Sequence, residues 1–298
     1  GKILGKGLTV LYVIYLSFLA GTILRCLIEF AELMLPGTPR MVIAFVILLV
    51  IIYAMMKGIE TIARTAELSF VISMFFYFAF IVLLLLSDLT DISFLFPILE
   101  NGIKPVMKGS LTLFLAMPFG ELIVFLFIFP IVNKPKKVIK TGIFALLTTT
   151  LLFTAIIFLR VIIIGSPLAE IHLCPALIMA RLINVGDFIQ RVEAIIMITF
   201  FTGNLYRFIL FFYAANTGLQ NVFNFKKYTF LLLPMAVITL VFAFLTGKNY
   251  TTEISREEKI FPFYMNLPFE IIIPALIIIF ILIKKLIKKH SAFNVNNR

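Results

Sequence analysis

Long apolar runs separated by short polar stretches set the pattern of this chain. Eight runs are long enough to cross a bilayer, at about 8–34, 40–56, 66–86, 111–132, 141–164, 188–214, 228–246 and 267–287. Each predicts a membrane-spanning helix. The second run is short and predicts a span that tilts or is extended by its flanks. The stretches between the runs leave no room for a soluble domain, and no low-complexity tract or heptad repeat interrupts them. The longest outer connection, 165–186, contains a segment at 175–183 apolar enough to form a helix lying along the membrane surface.

One run breaks its own pattern. The fourth carries Pro118, Phe119, Gly120 and Glu121 near its middle. Proline removes a backbone donor and glycine gives the chain freedom to leave helical dihedrals, so the i→i−4 ladder fails here. Backbone groups released at membrane depth are tolerated only where protein or a water-lined cavity satisfies them. Glu121 adds a carboxylate at a depth where charge costs roughly 2.5–3.5 kcal/mol, so it needs a partner, a proton or water. Two readings stand: a plain proline kink with Glu121 protonated against a neighbouring helix, or a broken helix forming a substrate site, as in many transporters.

Composition sharpens this picture. The 298 residues are 62% hydrophobic and 14% charged, with a mean hydropathy of +1.11. Soluble domains are nearer 45–50% apolar and about 25% charged, so the chain reads as an all-α integral membrane protein. Its net charge of +11 follows the loops rather than a nucleic-acid face. With the ends and the connections at 57–65, 133–140 and 215–227 on one side, that side holds fifteen basic residues against one acid, Glu60. The opposite side holds seven basic residues and most of the acids. The positive-inside rule then places both ends in the cytoplasm. Cys26 and Cys174 have no metal-ligand spacing and read as small buried side chains. Nothing predicts a cofactor, and no P-loop, HExxH or GxSxG motif points to an enzyme.

Charges inside the spans are the remaining candidates. Arg25, Glu29 and Glu32 share a face of the first span. Arg25 is placed to pair with Glu29, while Glu32 is expected to snorkel to the outer interface, as is Arg160. Asp187 and Arg191, at i,i+4 after Gly186, predict a capped, self-paired start to the sixth span. Arg207 has no acid at i±3 or i±4, so it faces the bundle interior or snorkels to the inner surface.

These motifs resemble a known family. The run from Ser110 to Glu121, the following Asn133-Lys-Pro-Lys-Lys137, Thr38-Pro39, the stretch from Gly186 to Glu193 and Tyr213-Ala-Ala-Asn216 are similar to the endospore germination permeases. These are the B subunits of spore nutrient-germinant receptors, in the amino acid–polyamine–organocation superfamily. The resemblance implies a fold of ten spans in two inverted repeats of five. Gly1-Lys-Ile-Leu-Gly5 resembles the segment before the family's third span, so the chain is expected to lack the first two and to form a single, N-terminally truncated permease-like domain over 1–298.

The resemblance also implies a function: sensing a small nutrient germinant, such as an amino acid, in the spore inner membrane, with receptor A and C subunits as partners. By position it places the germinant site at Tyr15, Leu19, Pro118, Phe119, Gly120, Glu121 and Arg207. Tyr15, Leu19 and Arg207 are expected to line a groove open at Phe119. The alternatives are a transporter or channel of the same fold for an amino acid, an ion or water, or an inert remnant.

Overall fold

The computed structural model describes residues 2–100, 102–116, 119–171, 175–183, 192–245 and 262–296. Its order is α1 (Lys2–Met34), α2 (Arg40–Lys57), α3 (Ile59–Leu86) and α4 (Ile103–Ala116), then two 3-10 segments, Gly120–Phe127 and Phe129–Ile131. It continues with α5 (Pro135–Ile171), α6 (Pro175–Leu182) and α7 (Glu193–Phe223). A 3-10 turn at Tyr228–Leu231 leads into α8 (Leu232–Leu245), and a π-helical segment (Pro262–Ile272) leads into α9 (Ile273–Asn296). No strand occurs among the described residues.

Seven helices among the described residues are long and apolar enough to span a membrane. They correspond to seven of the eight expected runs. The fourth run differs: its described parts are α4, up to Ala116, and the shorter apolar stretch Gly120–Ile131, which is 3-10 helical. Phenylalanines and aliphatics such as Phe45, Phe70, Phe75 and Leu151 stand exposed along α2, α3 and α5. Apolar surface on that scale needs a lipid solvent. The protein is an all-α, multi-pass integral membrane protein.

The first helix is the hub. Leu16, Ala20, Ile23, Leu24 and Leu27 recur at helical spacing and are fully or almost fully buried. They pack with Phe208, Phe211 and Phe212 of α7, Met235 of α8 and Ile51 of α2 in one core. Two glycines allow the close approach. A Cβ at Gly21 would stand 2.5 Å from Phe242 Cβ of α8, and one at Gly218 of α7 would stand 2.8 Å from Val13 Cγ2. Membrane helices pack through such small residues, because lipid gives no hydrophobic drive to association.

A second core joins Phe80 and Leu84 of α3 with Leu159 and Ile162 of α5 and Met179 and Ala180 of α6. The helix expected near 175–183 is therefore present as α6, with its buried face against this core. Near its end α5 kinks at Gly165, where φ 69 and ψ 162 are outside the helical region and suit glycine.

Charges inside the spans find partners. Arg25 Nε lies 2.8 Å from Glu29 Oε1, as its spacing predicts. Glu32 does not simply snorkel: it pairs at 2.9 Å with Arg40 at the start of α2, closing the α1–α2 turn. Arg160 is half-buried, and its Nε has no hydrogen-bond partner among the described residues. The Asp187–Arg191 pair lies outside those residues, as does Cys174.

Candidate functional site

The described part of the expected break shows the fourth run continuing as a 3-10 rather than an α-helix from Gly120 onward. Phe119 is the last residue before the 3-10 segment, and no side chain caps the new helix start. A 3-10 helix hydrogen-bonds i to i+3 and winds more tightly than an α-helix. The restart therefore changes the direction in which side chains leave the fourth span. Pro118 lies outside the described residues. Gly120 opens the new segment and Glu121 stands in its first turn.

Glu121 and Arg207 meet across 86 residues of sequence. Arg207 Nε donates to Glu121 Oε2 at 2.8 Å, and Nη2 donates to Oε1. A two-point fork of this kind fixes direction as well as distance. Arg207 Nη1 also reaches Asn204 Oδ1, one turn earlier on α7, at 3.5 Å. The side chains are 13% and 27% exposed, so each charge is largely removed from solvent and answered by the other. Of the two positions open to Arg207, the structure shows the interior one. Glu121 has Arg207 as its partner.

Tyr15 takes a different part. It is 1% exposed at the centre of α1. Its hydroxyl donates to Glu270 Oε1 at 2.6 Å and lies 3.2 Å from Asn266 Oδ1. Its ring stacks on Phe269 with centroids 4.5 Å apart. One turn earlier, Tyr12 donates its hydroxyl to the Phe269 carbonyl at 2.6 Å. Glu121 is also within electrostatic reach of Tyr15. The site thus joins four stretches of chain: α1, the restart after the break, α7 and the π-helical segment.

The other expected residues are placed less directly. Leu19 is buried in the α1 core. A groove of about 720 Å³ does open at Phe119. Its walls come from the 3-10 segments and α5, including Leu122, Phe125, Lys137, Thr141 and Leu146, rather than from Tyr15, Leu19 and Arg207. The physical reason is that Tyr15 and Leu19 are buried in the α1 core, away from the groove's lining.

Sequence reasoning missed the last span's contribution. The run at 267–287 reads as an ordinary apolar helix, with Glu270 near its edge. The structure instead shows a π-helix containing Pro268, which brings Asn266 and Glu270 onto Tyr15. The signal was available: Pro268-Phe269-Glu270 repeats the Pro-Phe-(Gly)-Glu order of the break in the fourth run. Proline within an apolar run followed closely by an acid marks both places. π-Helical turns inside helices occur mostly at functional sites.

The profile of the family described as "Spore germination protein" matches residues 1–251. The chain belongs to that family. It is 29% identical over 285 residues to spore germination protein KB of Bacillus subtilis (strain 168), covering 94% of this chain and 76% of that protein. It is 27% identical over 245 residues to spore germination protein YndE of the same organism, covering 80% of this chain and 66% of that protein. Spore germination protein XB of Bacillus anthracis is 25% identical over 208 residues, covering 70% of this chain and 57% of that protein. No solved structure matches the chain.

Proposed function

We propose that this spore germination family member is a receptor subunit of amino acid permease-like fold that senses a small nutrient germinant, such as an amino acid. The observation that carries the reading is the forked Arg207–Glu121 pair at the break of the fourth span. A carboxylate-bearing ligand competes with Glu121 for the same guanidinium. Displacing Glu121 frees the restart segment from α7, so the ligand favours one arrangement of the bundle over the other. Pro118, Phe119 and Gly120 are proposed as the backbone of the site, with Tyr15 and Leu19 as its α1 residues. The event passes to receptor A and C subunits of the kind the family resemblance implies.

Spores in which this protein carries Glu121→Gln or Arg207→Lys test the reading. The germinant concentration for half-maximal germination is expected to shift about tenfold or more, the scale of one lost charge-assisted bond. An unchanged concentration dependence, with the protein present in the membrane at normal level, overturns it. A transporter or channel would use the same break. It predicts flux of the nutrient or an ion through the protein in proteoliposomes, where a receptor predicts none.

We also propose a location in the spore inner membrane with both termini cytoplasmic, on the fifteen-to-seven division of basic residues. Lys136→Cys is expected to resist impermeant thiol reagents applied from outside intact cells. Its labelling from outside would reverse the orientation.

A further inference from the structure

The last span holds a carboxylate that the germinant reading leaves unused. Glu270 is 9% exposed and Asn266 8% exposed, both within the π-helical segment. Glu270 Oε2 is buried and has no hydrogen-bond partner among the described residues. None of the ion pairs among those residues includes Glu270. Among the described residues, the titratable groups shown to act on it are Tyr12 and Tyr15 from α1 and Glu121 from the restart segment, none of which is a cation. A buried carboxylate with no positive charge beside it is costly.

The oxygens around it are also short of hydrogens. Tyr15 has one hydroxyl hydrogen and two acceptors in reach, Glu270 Oε1 and Asn266 Oδ1. Turning the Asn266 amide would satisfy Tyr15 but leave Glu270 Oε2 as it is. A proton on Oε1 would let Tyr15 donate to Asn266, but it too leaves Oε2 without a partner. A positively charged group that draws on several oxygens together answers all of them. The segment's wider turns add backbone carbonyls whose regular α-helical bonding is disturbed, the type of group that binds ions in broken transporter helices.

We propose that Glu270, Asn266 and the Tyr15 hydroxyl form a site for a monovalent cationic group, either an alkali ion or the primary ammonium of an organic amine. One carboxylate matches one positive charge. No group of three His, Cys, Asp or Glu side chains occurs among the described residues, which leaves a divalent or transition ion too few charged ligands. The site uses neither Arg207 nor the groove at Phe119.

The test uses the purified 298-residue chain in lipid nanodiscs at fixed pH and ionic strength. Sodium, potassium and methylammonium chloride are titrated in turn against N-methylglucamine chloride, a cation too bulky for the site. The readouts are the thermal unfolding midpoint and the intrinsic emission of tyrosine, which is clean because the chain has no tryptophan. A saturable response to an alkali ion, or to methylammonium alone, supports the site and identifies its source of charge. Glu270→Gln is expected to raise the half-saturating concentration by about tenfold or more, and Asn266→Leu by a smaller factor. If Glu270→Gln fails to fold, Asn266→Leu and Tyr15→Phe carry the test. The proposal is overturned if all four salts act alike, if the response survives in the variants, or if only acidification stabilises the protein, equally in every salt. None of these results bears on the Arg207 variants, so the germinant reading is judged separately.

Discussion

Among the described residues, two arginine–glutamate pairs lie inside the bundle, and they are built in opposite ways. Arg25 and Glu29 sit one turn apart on α1, with side chains 7% and 14% exposed. Arg207 and Glu121 come from α7 and from the restart of a broken span, 86 residues apart. The first pair forms whenever α1 is helical, although basic-before-acidic is the weaker order for such a pair. It gains from tertiary structure through Arg25 Nη1, which donates to the Ala243 carbonyl of α8 at 3.3 Å. The second pair has no local origin. It exists only if the fourth span breaks at the right place and the restart docks on α7. A pair within one helix anchors that helix, whereas a pair between two segments reports their relative position and can act as a switch.

Breaking the long-range pair should have the largest effect. Arg207→Leu leaves Glu121 as a largely buried, uncompensated carboxylate, and the loss of stability is expected to be about 3 kcal/mol or more. Removing both charges, as Arg207→Leu with Glu121→Leu, is expected to recover most of that loss, because a well-packed apolar pair often matches a buried ion pair. Denaturation of the purified protein in detergent measures both. A double variant no more stable than Arg207→Leu would mean that the pair itself, and not the stranded charge, holds the two segments together.

The contrast also explains what could be read from the chain. The apolar runs predict the spans because lipid demands them, and the Arg25–Glu29 pair follows from helical periodicity. The break at Pro118–Gly120 follows from the chemistry of two residues. The Glu121–Arg207 contact was foreshadowed only because neither has an opposite charge one turn away along its helix. Glu270 escaped notice because it stands near the edge of its run, where a charge costs little. Only the π-helical turn around Pro268 carries it onto Tyr15. The groove at Phe119 could be anticipated in place but not in lining, because which face α5 presents depends on packing between spans.

The local pair should be the weaker of the two. Arg25→Leu is expected to cost about 1–2 kcal/mol, within the ordinary range for a single substitution, because Glu29 lies close to the end of α1 and can turn toward water there. Half of the contrast lies in the matching cycle: Arg25→Leu with Glu29→Leu is expected to recover little, because the Ala243 carbonyl still loses its donor. Equal losses for Arg25→Leu and Arg207→Leu would remove the distinction between an anchor and a switch.

The most local contact of all should show the smallest effect. Asp91 caps the 3-10 turn Ile92–Leu95 between α3 and α4, accepting from the Ser93 backbone N–H at 2.8 Å. Hydrogen bonds from the Ser93 side chain and backbone hold its carboxyl below its ordinary value of 3.8. The sign follows from linkage: the folded form binds its proton less readily than the unfolded one. The cap therefore contributes stability above about pH 4 and loses it as pH falls through the lowered folded-state value. The group is fully exposed, so salt screens the contribution and it stays minor. The Ser93 amide signal in an NMR titration is expected to move with a midpoint below 3.8, and to stay still in Asp91→Asn. A midpoint at or above 3.8 would show that Asp91 does not cap this turn in solution, although the spacing Asp91-Ile-Ser93 is the easiest of the three contacts to read from the chain.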